Sequence, residues 1–306
     1  MGILTELFSW LILIVLLSWI VSGVWALMKG LVEKLVPSLQ IHTMMLLVAT
    51  PVVVATLTLW FYQFPAFSDW LVSGHCHEGD CRPHLLYLPA SLSFSHILLV
   101  AGVIGIATAI LIIIRTVRLN ARYTRALKSF SQRAPESLYR VVESEQISAW
   151  CAGFFSPQVY VTKGLVESAS KDELHLIVLH ELNHVRRLDN LKRAVATVLM
   201  CCWIPALRRA FSSQLANALE IRSDLYAMKT ANQKDVEKLP VDLCARDATT
   251  SIQSEGRRAI LGALLSRPDA SIYGAAMVYL VMLLWLLALF AITVRLAHPL
   301  LEYLLR

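Results

Sequence analysis

Four long apolar stretches dominate this chain of 306 residues. A helix needs about 20 apolar residues to cross the hydrocarbon core of a bilayer, because each residue adds about 1.5 Å to a span of about 30 Å. Apolar residue types make up 57% of the sequence and charged types only 16%, a balance that excludes an ordinary soluble protein. We therefore predict an α-helical membrane protein with four transmembrane helices, at about residues 7–28, 41–62, 97–114 and 275–294.

Basic residues are concentrated between the third and fourth stretches. Residues 115–269 hold 23 of the 28 Lys and Arg residues and 16 of the 22 Asp and Glu residues, which gives a net charge of +7. The loop 63–96 has one Arg against three acidic residues. Because basic segments are retained in the cytoplasm, we expect the long segment inside the cell, and the loop 63–96 and both termini outside. Direct nucleic-acid binding is not expected, since the basic residues beside the membrane can contact anionic lipid headgroups.

The segment 115–270 is long enough to form one compact domain between the three helices of residues 1–114 and the last helix of residues 271–306. Residues 139–142 and 158–162 are rich in β-branched and aromatic types and predict strands. A turn with Gly164 and several serines follows the second strand. The spacing of Ser170 and Glu173 is typical of a capping box and predicts a helix that begins near Lys171. These patterns indicate an α+β domain.

The predicted helix contains the run His180-Glu181-Leu182-Asn183-His184. Residues four apart lie one turn apart on the same helix face, so both imidazoles can bind one Zn²⁺. Glu181 then lies where a carboxylate can take a proton from zinc-bound water. The alternative interpretation is an exposed helix turn in which two polar histidines have this spacing by chance.

A second helical stretch, at about residues 212–229, offers a third ligand. Glu220 and Asp224 are four residues apart and share a helix face. Glu220 can complete a His/His/Glu zinc site that leaves a fourth position open for water. Asp224 can accept a hydrogen bond from a ligand imidazole. A solvated acidic edge on an amphipathic helix is the alternative interpretation.

Three runs carry a family resemblance: FFSPQVYVTKGL, DELHLIVLHELNHVRRLDN and LEIRSD. They resemble the BlaR/MecR-type antirepressor family of membrane zinc metalloproteases, which are gluzincins with HExxH and ExxxD motifs. The resemblance implies a zincin-like domain with one Zn²⁺ per chain, held by His180, His184 and Glu220, and Glu181 as the catalytic base. It also implies that a strand lines the cleft, where an extended substrate could add as a further strand; this strand is Gln158, Val159, Tyr160, Val161 and Thr162. The pair Asp189-Asn190 matches the family as well, without a role that we can assign.

The function implied by the resemblance is hydrolysis of peptide bonds in a cytoplasmic or membrane protein, such as a transcriptional repressor, in regulated proteolysis at the bacterial cytoplasmic (inner) membrane. Family members that sense β-lactams carry a large extracellular domain after the last helix. Only a short tail follows the last apolar stretch here, so we expect a different trigger.

Two alternatives to this function remain. A protease of the HtpX type, which serves membrane quality control, places two membrane helices between HExxH and its glutamate. Here 35 residues separate His184 from Glu220, and their one apolar run, residues 194–207, is short and contains Pro205. We expect that run to be buried or interfacial, with Trp203 near the membrane interface. A non-catalytic membrane signal transducer is the second alternative, although such a protein has no physical need for Glu181.

Several further residues have the chemistry of a site. The outer loop contains Cys76 and Cys81, for which a disulfide is the simpler interpretation in an oxidising compartment. A copper or zinc sensor is the alternative, in which these thiols act with His75, His77 and His84. Arg222 and Tyr226 are candidates by type for stabilising an oxyanion, but neither shares the face of Glu220. The polar segment 230–266 is predicted to be a linker and would be the most accessible place for self-cleavage.

Overall fold

The computed structural model describes residues 2–64, 93–133, 138–230 and 272–305. The outer-loop residues Cys76 and Cys81 with their neighbouring histidines, and the predicted linker 230–266 beyond its first residue, lie outside the described residues. The described chain contains eight helices and four short strands. The helices are α1 (Gly2–Glu33), α2 (Pro37–Tyr62), α3 (Ser93–Ser129), α4 (Lys163–Ser168), α5 (Lys171–Arg187), α6 (Asp189–Leu199), α7 (Pro205–Thr230) and α8 (Ile272–Leu305).

Four of these helices, α1, α2, α3 and α8, are long and apolar enough to cross a membrane. The prediction of a multi-pass helical membrane protein is therefore confirmed. The helix α3 continues to Ser129, well beyond the predicted end at residue 114. Its charged residues from Arg115 onward end the apolar stretch but leave the backbone hydrogen bonding of the helix intact.

The four strands form one small sheet in the order β1–β2–β4–β3. The strands β2 (Tyr139–Val142) and β4 (Gln158–Thr162) have the predicted bounds and pair in parallel. The sequence patterns missed β1 (Ser131–Arg133) and β3 (Ala149–Ala152), which pair antiparallel with β2 and β4 respectively. As a result β4 is an interior strand, and β3 forms the edge beside it.

The turn predicted after β4 is wrong, because the chain forms the short helix α4 there. A side chain at Gly164 would collide with the backbone carbonyl of Glu145. Glycine is therefore needed at this position for a close approach between two backbone segments.

Two hydrophobic cores organise the described residues. The first, which we call the membrane-side core, joins α1, α2 and α8 to α6 and α7. The second, which we call the sheet core, consists of residues of β4, α4 and α5: Val159, Val161, Leu165, Ile177 and Val178. The side chain of Trp203 is buried against Trp25 and Phe211, so this part of the run 194–207 is buried, one of the two placements expected for it. Each core thus holds one of the two helices that carry the predicted ligands.

Candidate metal centre

The helix α5 begins at Lys171, as the capping box predicts. The hydroxyl of Ser170 accepts a hydrogen bond from the backbone N–H of Glu173 at 3.3 Å, and the Glu173 carboxylate accepts one from the backbone N–H of Ser170 at 2.8 Å. The helix buries Ile177 and Val178 in the sheet core. It also packs against α7, which brings the histidines of one helix to the acidic residues of the other.

His180 and His184 of α5 and Glu220 of α7 form a group that could hold a metal ion. The two imidazole Nε2 atoms lie 3.1 Å apart, and the Glu220 carboxylate oxygens lie 3.4 Å from Nε2 of His180 and 3.6 Å from Nε2 of His184. Ligand atoms at about 2.0–2.1 Å from a tetrahedral zinc ion are themselves about 3.3 Å apart. The spacing and the chemistry of these three donors therefore fit zinc.

The other ring nitrogen of each histidine is bonded to a carboxylate. Nδ1 of His180 lies 2.8 Å from an oxygen of Asp224, and Nδ1 of His184 lies 2.8 Å from an oxygen of Asp189. A carboxylate that accepts a hydrogen bond from Nδ1–H fixes the ring orientation and leaves the Nε2 lone pair for a metal. Both histidines are buried and have Nε2 directed at the same point.

Asp189 reaches His184 because the chain reverses sharply between α5 and α6. Leu188 adopts a left-handed conformation with φ 53°, which ends α5 and starts α6 at the next residue. A non-glycine residue in this conformation is strained by roughly 1–2 kcal/mol. This backbone conformation places the Asp189 carboxylate next to the last turn of α5, where it contacts the imidazole of His184.

Asp189 is itself held by two cations. Arg222 of α7 forms a buried ion pair with both carboxylate oxygens, and Lys192 lies 3.4 Å from one of them. Burial alone would raise the pKa of Asp189, but the hydrogen bonds from His184 and Arg222 outweigh burial and lower this pKa below its ordinary value. The side chain is therefore ionised at neutral pH. The two candidates for stabilising an oxyanion therefore both have other partners. Arg222 is paired with Asp189, and Tyr226 accepts a hydrogen bond from Arg186 at 2.7 Å.

Glu181 lies beside this group in a partly buried position. Burial raises the pKa of its carboxyl group, although the imidazoles of His180 and His184 oppose the shift. The backbone N–H of Cys151 also donates a hydrogen bond to Glu181. The carbonyl oxygen of Cys151 in turn accepts a hydrogen bond from the Asn190 side chain at 3.1 Å.

These contacts identify the strand that borders the site as β3, which contains Cys151. The prediction that Gln158–Thr162 could pair with a substrate is wrong, because both edges of that strand are already paired, with β2 on one side and β3 on the other. Among the described residues, the outer edge of β3 is the strand edge that remains beside Glu181. No sequence pattern marks this strand, which is four residues long and has no clear alternation of polar and apolar residues.

The sequence profile of the BlaR1 peptidase M56 family matches residues 84–237. The chain belongs to this family. A comparison with curated proteins finds no match.

All the residues of the candidate centre, from Cys151 to Asp224, lie within the range matched by the M56 family. Family membership makes the chain a membrane-associated metalloprotease or signal transducer. Between α5 and α7, where every residue is described, the chain forms only the 11-residue helix α6. Two membrane helices at this point, the layout of the HtpX-type alternative, are therefore absent.

Proposed function

We propose that this M56 protein is a zinc-dependent endopeptidase that hydrolyses peptide bonds of a cytoplasmic or membrane protein, such as a transcriptional repressor. The observation that carries the proposal is the convergence of two imidazoles and the Glu220 carboxylate beside a partly buried glutamate. A transducer without catalysis would have no physical need for Glu181. The excess of basic residues in 115–269 supports a cytoplasmic position for the domain.

In this proposal His180, His184 and Glu220 would hold the ion. Bound zinc supplies Lewis acidity and lowers the pKa of a water molecule to about 7. Glu181 would accept a proton from the attacking water and afterwards deliver it to the leaving amine.

The edge of β3 is the natural place for the substrate backbone. An extended peptide can add to an exposed strand edge through main-chain hydrogen bonds. The backbone N–H and carbonyl of Cys151 point to this edge, where they are hydrogen-bonded to the side chains of Glu181 and Asn190, which a substrate backbone would have to displace. A peptide bound there would lie next to the general base.

The deciding experiment compares Glu181→Gln with the wild-type protein, both purified from the same membranes. Each is assayed for zinc per chain and for new amino termini in a peptide library made from a digested proteome. Glu167→Gln is the matched control, because Glu167 is an exposed glutamate of α4. We expect about one zinc per chain in all three proteins. Cleavage by Glu181→Gln should fall by roughly 10²–10⁴-fold.

Three other results would redirect the proposal. Zinc in every protein with cleavage in none would favour the transducer. Absence of zinc from the wild type would remove the metal centre. Equal cleavage by wild type and Glu181→Gln would exclude Glu181 as the general base.

A further inference from the structure

The turn between α6 and α7 is apolar and exposed in this structure. Residues 194–207 contain no charged side chain, and Arg193 and Arg208 flank them. Three large apolar side chains of this region, Val195, Val198 and Ile204, are 39%, 42% and 44% exposed. Apolar side chains clustered at the tip of a helical hairpin indicate that something other than water covers them.

The level of this turn along α1 indicates what covers these apolar side chains. The indole N–H of Trp19 donates a hydrogen bond to the carbonyl of Cys202 at 3.1 Å, and the Gln214 side chain donates one to the carbonyl of Lys29 at 3.3 Å. Trp19 and Lys29 are ten residues apart on α1, which corresponds to about 15 Å. The candidate span of α1 runs from residue 6 to residue 33. Trp19 is at its middle, so the turn reaches the depth of the hydrocarbon core.

Several backbone groups of the turn have hydrogen-bond partners within the protein. The N–H groups of Met200, Cys201 and Trp203 donate to carbonyls three or four residues earlier, at 2.9–3.1 Å. The carbonyl of Cys202 has the Trp19 indole as its donor. In hydrocarbon an unpaired backbone group costs several kcal/mol, and non-helical backbone is tolerated there only where protein supplies the partners.

We propose that α6, the turn and α7 form a re-entrant hairpin, inserted into the bilayer from the side on which the metal centre lies, with lipid acyl chains covering Val195, Val198 and Ile204. Arg193 and Arg208 lie at the base of the apolar tip, from which long side chains extend to the headgroups. Insertion of the hairpin does not depend on the proposed function.

The hairpin also fixes the height of the metal centre above the membrane. Glu220 lies six residues beyond Gln214 on α7, or about 9 Å along the helix. Because Gln214 is at the level of Lys29, near the end of the α1 span, the metal centre lies close to the membrane surface.

Photolabelling of the wild-type protein tests this inference. The full chain is reconstituted into vesicles that contain a phospholipid with a diazirine at the end of one acyl chain. A parallel sample carries the diazirine on the headgroup. After illumination, mass spectrometry measures the labelled fraction of each peptide. The exposed membrane residues of α8, such as Leu284, serve as the positive control, and exposed residues of α5, such as Asp172 and His175, as the negative control.

We expect the acyl-chain probe to label residues 195–204 within about three-fold of α8, and roughly ten-fold more than α5. Labelling by the headgroup probe alone would show that the hairpin lies flat on the surface and would overturn the proposal. Labelling at the level of α5 with both probes, while α8 is labelled, would show that protein covers the tip and would also overturn it.

Discussion

The membrane-side core and the sheet core differ in size and in what they contribute to the candidate metal centre. The membrane-side core draws buried residues from five helices, whereas the sheet core has five buried residues in all. The helix α5 packs on the sheet core and provides His180 and His184. The helix α7 packs on the membrane-side core and provides Glu220. The three donors thus come from two regions with separate packing.

The helix α7 contacts the membrane-side core with one face and the candidate metal centre with another. Phe211, Leu215, Ala218 and Leu219 are buried in the membrane-side core, while Glu220 lies at the centre. The helices α5 and α7 pack against each other, so the two regions meet at the candidate centre. A bound metal ion would add a further link between them, and an altered packing of the membrane helices would change how well the third ligand fits.

Truncation of the membrane-side core should give the largest effect. Phe211 is fully buried, and its ring packs edge-on against Trp25 and Trp203 at centroid distances of 5.3 and 5.1 Å. We expect Phe211→Ala to lower the free energy of unfolding by about 3–5 kcal/mol, because both transfer and cavity terms are lost. Thermal unfolding of the full chain in detergent measures this change.

The control for this truncation is Phe155→Ala. Phe155 is 73% exposed, so its removal should change stability by no more than about 0.5 kcal/mol. Equal shifts for the two variants would mean that the membrane-side core does not govern stability, and the contrast between the two regions would fail.

A smaller effect is expected where the two regions meet, at Asp189. Asp189→Asn keeps the shape of the side chain but removes the charge that faces His184 and Arg222. We expect zinc affinity to fall by about 10–100-fold, as for other partners of ligand imidazoles. Competition with a chelating dye measures the affinity. Asp172→Asn, on the exposed first turn of α5, should leave it unchanged.

The stability of the metal-free protein distinguishes two roles of Asp189, which are to position His184 and to stabilise the fold through Arg222. Asp189→Asn leaves the buried Arg222 guanidinium without its carboxylate, which is destabilising. Asp189→Asn combined with Arg222→Gln should recover part of that stability but not the zinc affinity. Recovery of both would show that Asp189 acts only through the ion pair and does not position His184.

Features set by short-range patterns were predictable from the sequence. The spacing of His180 and His184, the start of α5 and the bounds of β2 and β4 each follow from residues close together in the chain. The four membrane helices follow from apolar length alone.

Features that depend on distant partners or on unusual backbone were missed. The strand β3 exists because it pairs with β4, and its four residues show no pattern of their own. The contact of Asp189 depends on the left-handed backbone of Leu188, and left-handed residues are usually marked by glycine or asparagine. The second helical stretch is predicted at about residues 212–229, whereas α7 begins at Pro205, because the first position of a helix favours proline.

The smallest effect should be confined to the sheet-core region. Ser170→Ala removes the hydroxyl that caps α5, which costs about 1 kcal/mol. The first turn of α5 should then exchange its amide hydrogens roughly five-fold faster, while amides of α2 in the membrane-side core keep their rates. Hydrogen exchange followed by mass spectrometry measures both regions in one sample. Ser168→Ala, an exposed serine at the end of α4, is the control and should change neither. Equal acceleration in α2 would show that the two cores open as one cooperative unit, because a change at the start of α5 would then have reached the membrane helices.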